Sequence, residues 1–422
     1  FAPGRIGTGM TDDLETVATQ MQASNKTVYD HHYGLWYDRR RDDHLMVRRM
    51  DGAVAPPFFE QPFARTGRGH AWNGLSKYDL TEFNPWYWRR LADFSALCDE
   101  QGLVLIHQNY FQHNILEAGA HWADSPWRPA NNINDTGLPE PPPYVGDKRI
   151  FMAPFFYDLS HPERRKLHEG YIRQCLVSFA ERTNVIQSLS AEYTGPLHFT
   201  QFWLDTIAKS QVETGRDQLI SIACTKDSQD AVLADAERAK LVDIIDIRYW
   251  CYDRDGKLYA PAGGVNLAPR QHLRQINPKP ADPSSIHRTV REMKLAHPDK
   301  AVTYYAYQNC NSPNDGWAVL MGGGSLAAVP RLPEELLATL PKMKPADEQA
   351  NLWRLAAADG STLIYAPTKR EDLKVTLPES PRGYRVVWIN PDSGAQLDGG
   401  SVAGGEVKLA AEDRVIWLTR RD

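Results

Sequence analysis

The sequence predicts a (β/α)8 barrel followed by a small antiparallel β-sandwich, and three observations in the 422-residue chain support this fold class. Strand-like and helix-like segments alternate from about residue 10 to residue 340, which predicts parallel strands joined by helical crossovers. Polar residues follow the apolar strands, at the end where barrel proteins carry their chemistry. After about residue 351, short strands separated by turn residues replace the alternation, which is typical of a sandwich.

We therefore predict two domains. A barrel covers residues 1–345, with long rim loops at 32–73 and 109–159, and a sandwich covers residues 346–422. The rim loops make the barrel longer than the usual ~250 residues. A doubly wound parallel sheet is the alternative, but its common fingerprint, a glycine-rich turn after the first strand, is missing.

The first predicted elements have clear local signals. Apolar residues recur at helical spacing over 11–24, and a short strand follows at Thr27–Asp30. Asn84–Pro85 begins the next helix, because proline suits the first helical position. Leu103–Ile106 is a continuous apolar run, typical of a parallel strand that is buried on both faces.

The later elements continue the alternation. Ser160–Glu163 is a capping box that predicts a helix reaching about Arg182. Further helices are predicted over about 196–214, 228–240, 284–296, 315–321 and 333–340. Seven strands are predicted, near residues 28, 104, 187, 220, 245, 304 and 327. We expect the eighth strand in the segment ending at Gly4 or upstream of Phe1, with Leu75–Leu80 as a second candidate.

Composition excludes several classes of function. Hydrophobic residues make up 42% and charged residues 24% of the chain, an ordinary globular balance that excludes disorder and coiled coil. A net charge of −5 argues against nucleic-acid and anionic-membrane partners. No apolar run approaches the roughly 18 residues of a membrane helix. The 5 cysteines show no paired spacing, so neither a disulfide framework nor a zinc site is predicted.

Polar residues gather where the predicted strands end. The groups that follow the strands are Asp30-His31-His32, His107 with Asn109, Glu192-Tyr193, Lys226-Asp227, Asp246 with Arg248 and Trp250, and Gln308-Asn309. Each has a structural alternative: Glu192 could cap the next helix, Asp246 could orient Arg248, and Trp122 could pack a rim loop. No third ligand accompanies His31 and His32, so neither a metal nor another cofactor is predicted.

Four segments resemble parts of a known family. The segments are Tyr78–Trp88, Cys98–Leu105, Asn184–Glu192 and Tyr384–Gly394, and they resemble secreted bacterial glycoside hydrolases that join a (β/α)8 barrel to a small β-sandwich. The nearest resemblance is to apiosidase-like and endoglucanase-like barrel proteins of polysaccharide-degrading bacteria. It implies that Glu192, at the end of the fourth strand, is a catalytic carboxylate. It also implies a nucleophilic Glu after strand seven, but that strand ends in Gln308.

Glycoside hydrolysis usually needs two carboxyl groups flanking the scissile bond. We expect Glu192 to be the general acid, with Asp246 as first choice for the second carboxylate and Asp227 next. The other candidate residues are assigned to substrate binding through hydrogen bonds or ring stacking. They are His31, His32, Trp36, His107, Asn109, Trp122, Tyr193, Lys226, Arg248, Trp250 and Gln308.

The expected substrate is an oligosaccharide or polysaccharide of plant cell walls or bacteria. One alternative is a lyase acting on a uronate, whose carboxylate Arg248 and Lys226 would neutralise. Another is a carbohydrate-binding barrel without catalysis, favoured by the missing strand-seven Glu. The chain begins at Phe1 without Met or a signal peptide, which suggests a processed or engineered start. The resemblance implies a secreted or periplasmic bacterial protein.

Overall fold

The structure of the protein is a computed structural model. It describes residues 13–32, 61–112, 115, 122, 125–140, 151–305, 315–347, 352–368, 372–380, 382–410 and 415–420.

Helices and strands alternate through most of these ranges. The helices are α1 (Leu14–Ala23), α2 (Pro85–Glu100), α3 (Ala153–Phe156), α4 (Pro162–Val177), α5 (Leu197–Thr214), α6 (Lys226–Ala234), α7 (Ala236–Leu241), α8 (Pro269–Ile276), α9 (Pro283–Ala296), α10 (Asp315–Met321) and α11 (Glu334–Thr339), with 3-10 turns at Pro129–Asn131 and Leu340–Lys342. The first ten strands are β1 (Val28–His32), β2 (Phe63–Arg65), β3 (Tyr78–Phe83), β4 (Val104–Phe111), β5 (Val185–Ala191), β6 (Leu219–Ile222), β7 (Ile244–Ile247), β8 (Cys251–Tyr252), β9 (Leu258–Tyr259) and β10 (Ala301–Tyr304). The remaining strands are β11 (Lys344–Pro345), β12 (Trp353–Ala356), β13 (Thr362–Tyr365), β14 (Asp372–Leu377), β15 (Tyr384–Ile389), β16 (Gln396–Val402), β17 (Gly405–Ala410) and β18 (Val415–Arg420).

The chain divides into two compact units. Unit 1 consists of Phe1–Asp243 and Pro261–Asn277, and unit 2 consists of Ile244–Ala260 and Pro278–Asp422. The fold changes from α/β to antiparallel β at β11, close to the predicted domain boundary. The boundary at residue 346 itself stays a prediction.

Unit 1 is built on a parallel sheet with the strand order β1-β4-β5-β6. Every residue of β5 is buried, as expected for a parallel strand covered on both faces. Trp88 of α2 and Trp203 of α5 contribute buried side chains against β4. The sheet therefore brings the carboxyl ends of four strands to one edge.

Two helix starts show how local sequence determines an element. Asn84 caps α2 by accepting a hydrogen bond from the Trp86 amide at 3.1 Å, and Pro85 takes the first helical position, as predicted. The capping box predicted at Ser160 does not form. His161 caps α4 instead, because its Nδ1 accepts from the Arg164 amide at 3.3 Å.

The predicted strand near residue 327 and Leu75–Leu80, the second candidate for the eighth strand, are not barrel strands. Leu75–Leu80 overlaps β3, which pairs antiparallel with β2. The segment near residue 327 is irregular: Leu326 has a left-handed backbone with φ of 55°, and a single hydrogen bond from the Ser325 amide to the Val302 carbonyl joins it to β10. A positive φ interrupts the extended backbone that a strand requires.

Unit 2 contains a parallel pair, β7 and β10, and a mostly antiparallel β region. Six strands form a sheet in the order β11-β12-β13-β18-β15-β16, and β14 pairs with β17. Ile364, Val375 and Ile416 belong to one buried core that both sheets share. Within this unit the rings of His287 and Trp353 stack at 4.2 Å, so α9 packs on β12, and Tyr365 of β13 stacks on the same Trp353 ring at 5.3 Å.

The described residues thus confirm a mixed α/β fold with a separate antiparallel C-terminal region. Six strands in the described ranges are parallel, four in unit 1 and two in unit 2. An eight-stranded barrel stays a prediction. Among the helices of these ranges, none has both the length and the apolar character that crossing a bilayer requires.

Candidate active site

Three residues predicted to bind sugar lie on the helix-facing side of the unit 1 sheet. His107 Nδ1 is 3.0 Å from Gln187 Oε1, and Asn109 Oδ1 accepts from the Trp203 indole at 2.7 Å. The His31 ring stacks on His107 with centroids 5.5 Å apart. All are buried, and burial lowers the pKa of His107 to about 4. Packing against helices accounts for these side chains, and the function proposed below does not use them.

The alternation of side chains between the two faces of β4 explains why His107 and Asn109 face the helices. Neighbouring residues of β4 point to opposite faces, so Gln108 points away from the helices while His107 points toward them. Gln108 donates to Asp30 Oδ1 at 3.0 Å on that opposite face. The polar run from residue 107 to 109 does not reveal which of its members face the helices.

Glu192, the predicted general acid, follows β5 in an unusual backbone conformation. Its φ is 57°, in the left-handed region that non-glycine residues rarely adopt. Holding such a residue there costs roughly 1–3 kcal/mol, and such strain concentrates at functional sites. The residue is partly buried. Strain at an acidic residue beyond the carboxyl end of a parallel strand marks this position as a candidate catalytic group.

Tyr193 lies inside the turn that carries Glu192, which we call the exit turn (residues 192–196). Its ring is almost completely buried, and its hydroxyl donates to the Pro196 carbonyl at 2.7 Å. A Cβ at Gly195 would lie 2.6 Å from this ring, so only glycine fits there. Tyr193 therefore supports the exit turn from within, a role that differs from its predicted contact with sugar.

Gln112, directly after β4, contacts the same turn. The Thr194 amide donates to Gln112 Oε1 at 2.8 Å, and Gln112 Nε2 donates to Thr194 Oγ1 at 3.0 Å. The Tyr157 hydroxyl donates to the same Oε1 at 3.3 Å. The Gln112 amide in turn donates to Ser190 Oγ at 2.9 Å. The exit turn is thereby tied to the end of β4.

A loop over residues 261–268, which we call the strap, crosses the ends of β5 and β6. The Gly264 amide donates to the carbonyls of Thr194 at 2.9 Å and Gly195 at 3.0 Å. Thr194 Oγ1 donates to the Leu267 carbonyl. On the other side, the Gly263 amide donates to both carboxylate oxygens of Asp227, at 3.0 and 3.2 Å. The strap thus connects the exit turn with Asp227.

Asp227 lies in the first turn of α6 and is exposed. Burial acts to raise the pKa of its carboxyl, but hydrogen bonds from Thr225, Gly263 and Ser228 outweigh it and bring the pKa below the ordinary value. The carboxylate is therefore ionised at neutral pH. The neighbouring Lys226 pairs with Asp230 at 2.7 Å.

Asp246 and Arg248 form an ion pair in unit 2. Both side chains are buried; Asp246 is 4% exposed, and Arg248 Nε lies 2.5 Å from its Oδ2. The Arg248 guanidinium lies 5.7 Å from the ring centroid of Tyr305, an exposed residue that directly follows β10. Trp250, predicted to stack on sugar, is buried.

The other predicted contacts are placed as follows. Trp122 is buried and packs edge-on against Phe156 at 6.2 Å, which matches the structural alternative for this residue. Trp36, Gln308 and the side chain of His32 lie outside the described residues. Within the described ranges no group of three His, Cys, Asp or Glu side chains could hold a metal ion, and Cys98, Cys175, Cys224 and Cys251 are free thiols.

Sequence reasoning missed three residues that build this site: Gln112, Thr194 and Gly263. Gln112 stands in the polar run that follows β4, and Thr194 stands two residues after Glu192. Position after a strand was therefore a usable signal for both. Gly263 had no such signal, because its significance depends on the approach of Asp227 from a distant segment.

Three comparisons with known proteins bear on the fold. A family model described as a domain of unknown function, DUF6298, matches residues 1–343. A family 5 glycoside hydrolase from Bacteroides vulgatus ATCC 8482 superposes over 97% of this chain and 85% of its own, with a TM-score of 0.53 and 10% identity. At this identity the likeness shows a glycoside hydrolase-like fold. No curated protein matches the chain.

Two further solved structures show weaker similarity. A glycoside hydrolase superposes over 97% of this chain and 89% of its own, with a TM-score of 0.48 and 12% identity. A conserved exported protein from Bacteroides fragilis covers 93% of this chain and 87% of its own, with a TM-score of 0.42 and 12% identity. Neither value is high enough to add to the argument on fold.

Proposed function

The chain belongs to the DUF6298 family, and we propose that it is a glycoside hydrolase acting on an oligosaccharide or polysaccharide of plant cell walls or bacteria. The observation that carries this proposal is the left-handed backbone of Glu192 at the carboxyl end of β5. The glycoside hydrolase-like fold supports it, because such folds bind substrate at that edge of the parallel strands. The resemblance to apiosidase-like and endoglucanase-like proteins stays a prediction.

Glu192 is assigned as the general acid and Asp227 as the second carboxylate. The amides of Gly263 and Gly264 are consecutive; one binds Asp227 and the other binds the Thr194 carbonyl. Since consecutive Cα atoms are about 3.8 Å apart, the Asp227 carboxylate lies within about 10 Å of that carbonyl. Glu192 is two residues from Thr194. An ionised Asp227 suits either a nucleophile or a base that activates water.

Asp246 is a weaker choice for the second carboxylate than the sequence suggested. A group that is 4% exposed and pairs with Arg248 at 2.5 Å would have to break that pair to reach a sugar. Removing one member of a buried pair is costly. We therefore assign Asp246 to holding Arg248. The lyase alternative needs cations to neutralise a uronate, but Arg248 and Lys226 each already pair with a carboxylate.

The test uses four proteins: wild type, E192Q, D227N and the control D230N. They are assayed on aryl glycosides and on plant and bacterial polysaccharides, with new reducing ends as the readout. Loss of a general acid or a nucleophile should lower kcat by roughly 100-fold or more. Asp230 also lies on α6 and is exposed, and its carboxylate pairs with Lys226 at 2.7 Å on the same helix, so D230N should keep wild-type turnover.

Circular dichroism verifies that each variant folds. Turnover by E192Q close to the wild-type value would overturn the assignment of Glu192. Ultraviolet absorbance from a new double bond in the product would identify a lyase instead. Binding without turnover by the wild type across the whole panel would identify an inactive carbohydrate-binding protein. The anomer of the first product, read by proton NMR, distinguishes a retaining from an inverting reaction.

A further inference from the structure

We infer that Gln112 is a positioning residue for Glu192, an inference that rests on the proposed function. Gln112 is fully buried and lies directly after β4, and its side chain binds Thr194 through both its oxygen and its nitrogen. Thr194 is two residues beyond Glu192 in the same turn. We call Gln112, Thr194 and Tyr157 the Gln112 clamp.

The hydrogen-bond chemistry of the clamp requires an amide. The Thr194 hydroxyl has one proton, which it donates to the Leu267 carbonyl. Its contact with Gln112 must therefore be one in which Gln112 donates. The oxygen of the same Gln112 amide accepts from the Thr194 amide and from the Tyr157 hydroxyl. Neither a carboxylate nor an aliphatic side chain can donate and accept in this way.

The clamp acts on a strained segment. A left-handed backbone at a non-glycine residue persists only when the surrounding structure over-determines it. Gln112 holds Thr194 from the β4 side, and the Gly264 amide holds the Thr194 carbonyl from the strap side. With Thr194 fixed on both sides, the conformation of Glu192 is fixed as well. Loss of the clamp should let the backbone relax and move the Glu192 carboxylate.

The experiment compares Q112L and Q112E with the control Q108L. Gln108 lies on β4, four residues before Gln112, and is equally buried, but its side chain donates to Asp30. Q112L should lower kcat by roughly 100-fold, the effect of about 1 Å of misplacement, with little change in KM. Q112E is nearly isosteric and serves if Q112L does not fold. Its added carboxylate should raise the pKa of the nearby general acid Glu192 and so move the alkaline limb of the pH–rate profile to higher pH.

A second readout does not depend on activity. Amide hydrogen exchange at Thr194 should become at least tenfold faster in Q112L, because its acceptor is removed. Q108L should leave exchange at Thr194 unchanged. Unchanged exchange of the Thr194 amide in Q112L, or an equal loss of kcat in Q112L and Q108L, would overturn the inference that Gln112 positions Glu192.

The two proposals fail in different ways. If E192Q retains turnover, the proposed function fails, and faster exchange at Thr194 in Q112L still supports the clamp as a device that holds the turn. If E192Q is inactive while Q112L keeps wild-type kcat and Q112E keeps the wild-type pH–rate profile, the proposed function stands and the positioning role of Gln112 is refuted.

Discussion

Substituting His168 should flatten the dependence of stability on pH. This histidine of α4 is completely buried, with its ring stacked on Trp127 at 4.5 Å. Its Nδ1 lies 3.0 Å from the Tyr110 hydroxyl, and its Nε2 lies 3.2 Å from the Phe156 carbonyl. Burial lowers the pKa of His168 to about 3, so the native protein keeps it neutral in mildly acidic solution.

The direction of the pH effect on stability follows from the different pKa of His168 in the native and unfolded states. The unfolded chain binds a proton at this histidine below about pH 6.5, whereas the native state does so only near pH 3. The stabilisation is therefore fully present above pH 6.5 and is lost as the pH falls toward 3. At pH 5 the slope is about 1.4 kcal/mol per pH unit, which integrates to about 2 kcal/mol between pH 7 and pH 5.

The measurement is urea unfolding of wild type and H168Q at pH 7 and pH 5, followed by circular dichroism. H168Q should lose about 1–3 kcal/mol at pH 7, because stacking and hydrogen bonding weaken. Its additional loss between pH 7 and pH 5 should be smaller than that of wild type by about 2 kcal/mol. The exposed His70 provides the control H70Q, which should keep the wild-type difference. An equal pH dependence of H168Q and wild type would refute the reasoning.

Two other substitutions test strain and packing. E192G should be more stable than E192A by about 1 kcal/mol in urea unfolding, because glycine accepts the left-handed backbone at position 192 without a steric cost; equal stability would contradict the strain. W353A should lower the free energy of unfolding of unit 2 by about 3–5 kcal/mol, because the ring stacks between His287 and Tyr365. A loss below about 1 kcal/mol would show that this stack contributes little.

Elements with strong local signals were predictable from the sequence. The apolar run at Leu103–Ile106 leads into β4, and the asparagine–proline pair at 84–85 begins α2 as expected. The change to short antiparallel strands after residue 344 also matches its prediction. These features depend on neighbours in the chain, and so a single sequence contains the information that determines them.

The orientation of side chains was not predictable in the same way. His107 and Asn109 follow an apolar run and read as rim residues, but they face the helices. When polar and apolar residues do not alternate along a strand, the sequence does not show which residues point to which face of the sheet. The side chains that contact His107 and Asn109 determine which face each one occupies. These partners, Gln187 and Trp203, lie 80 and 94 residues away in the chain.

The three carboxylates proposed from the sequence as catalytic candidates have different surroundings in the structure. Asp246 is buried against Arg248, Asp227 binds the strap, and Glu192 has a strained backbone. An ion pair and a bound loop each have a structural reason to persist. A strained backbone has no such structural reason to persist, because the turn would be more stable with glycine at position 192. Gln112, one of the groups that maintain it, lies 82 residues from Thr194 in the chain. Because distant buried groups hold this unfavourable backbone, we propose Glu192, rather than Asp246 or Asp227, as the general acid.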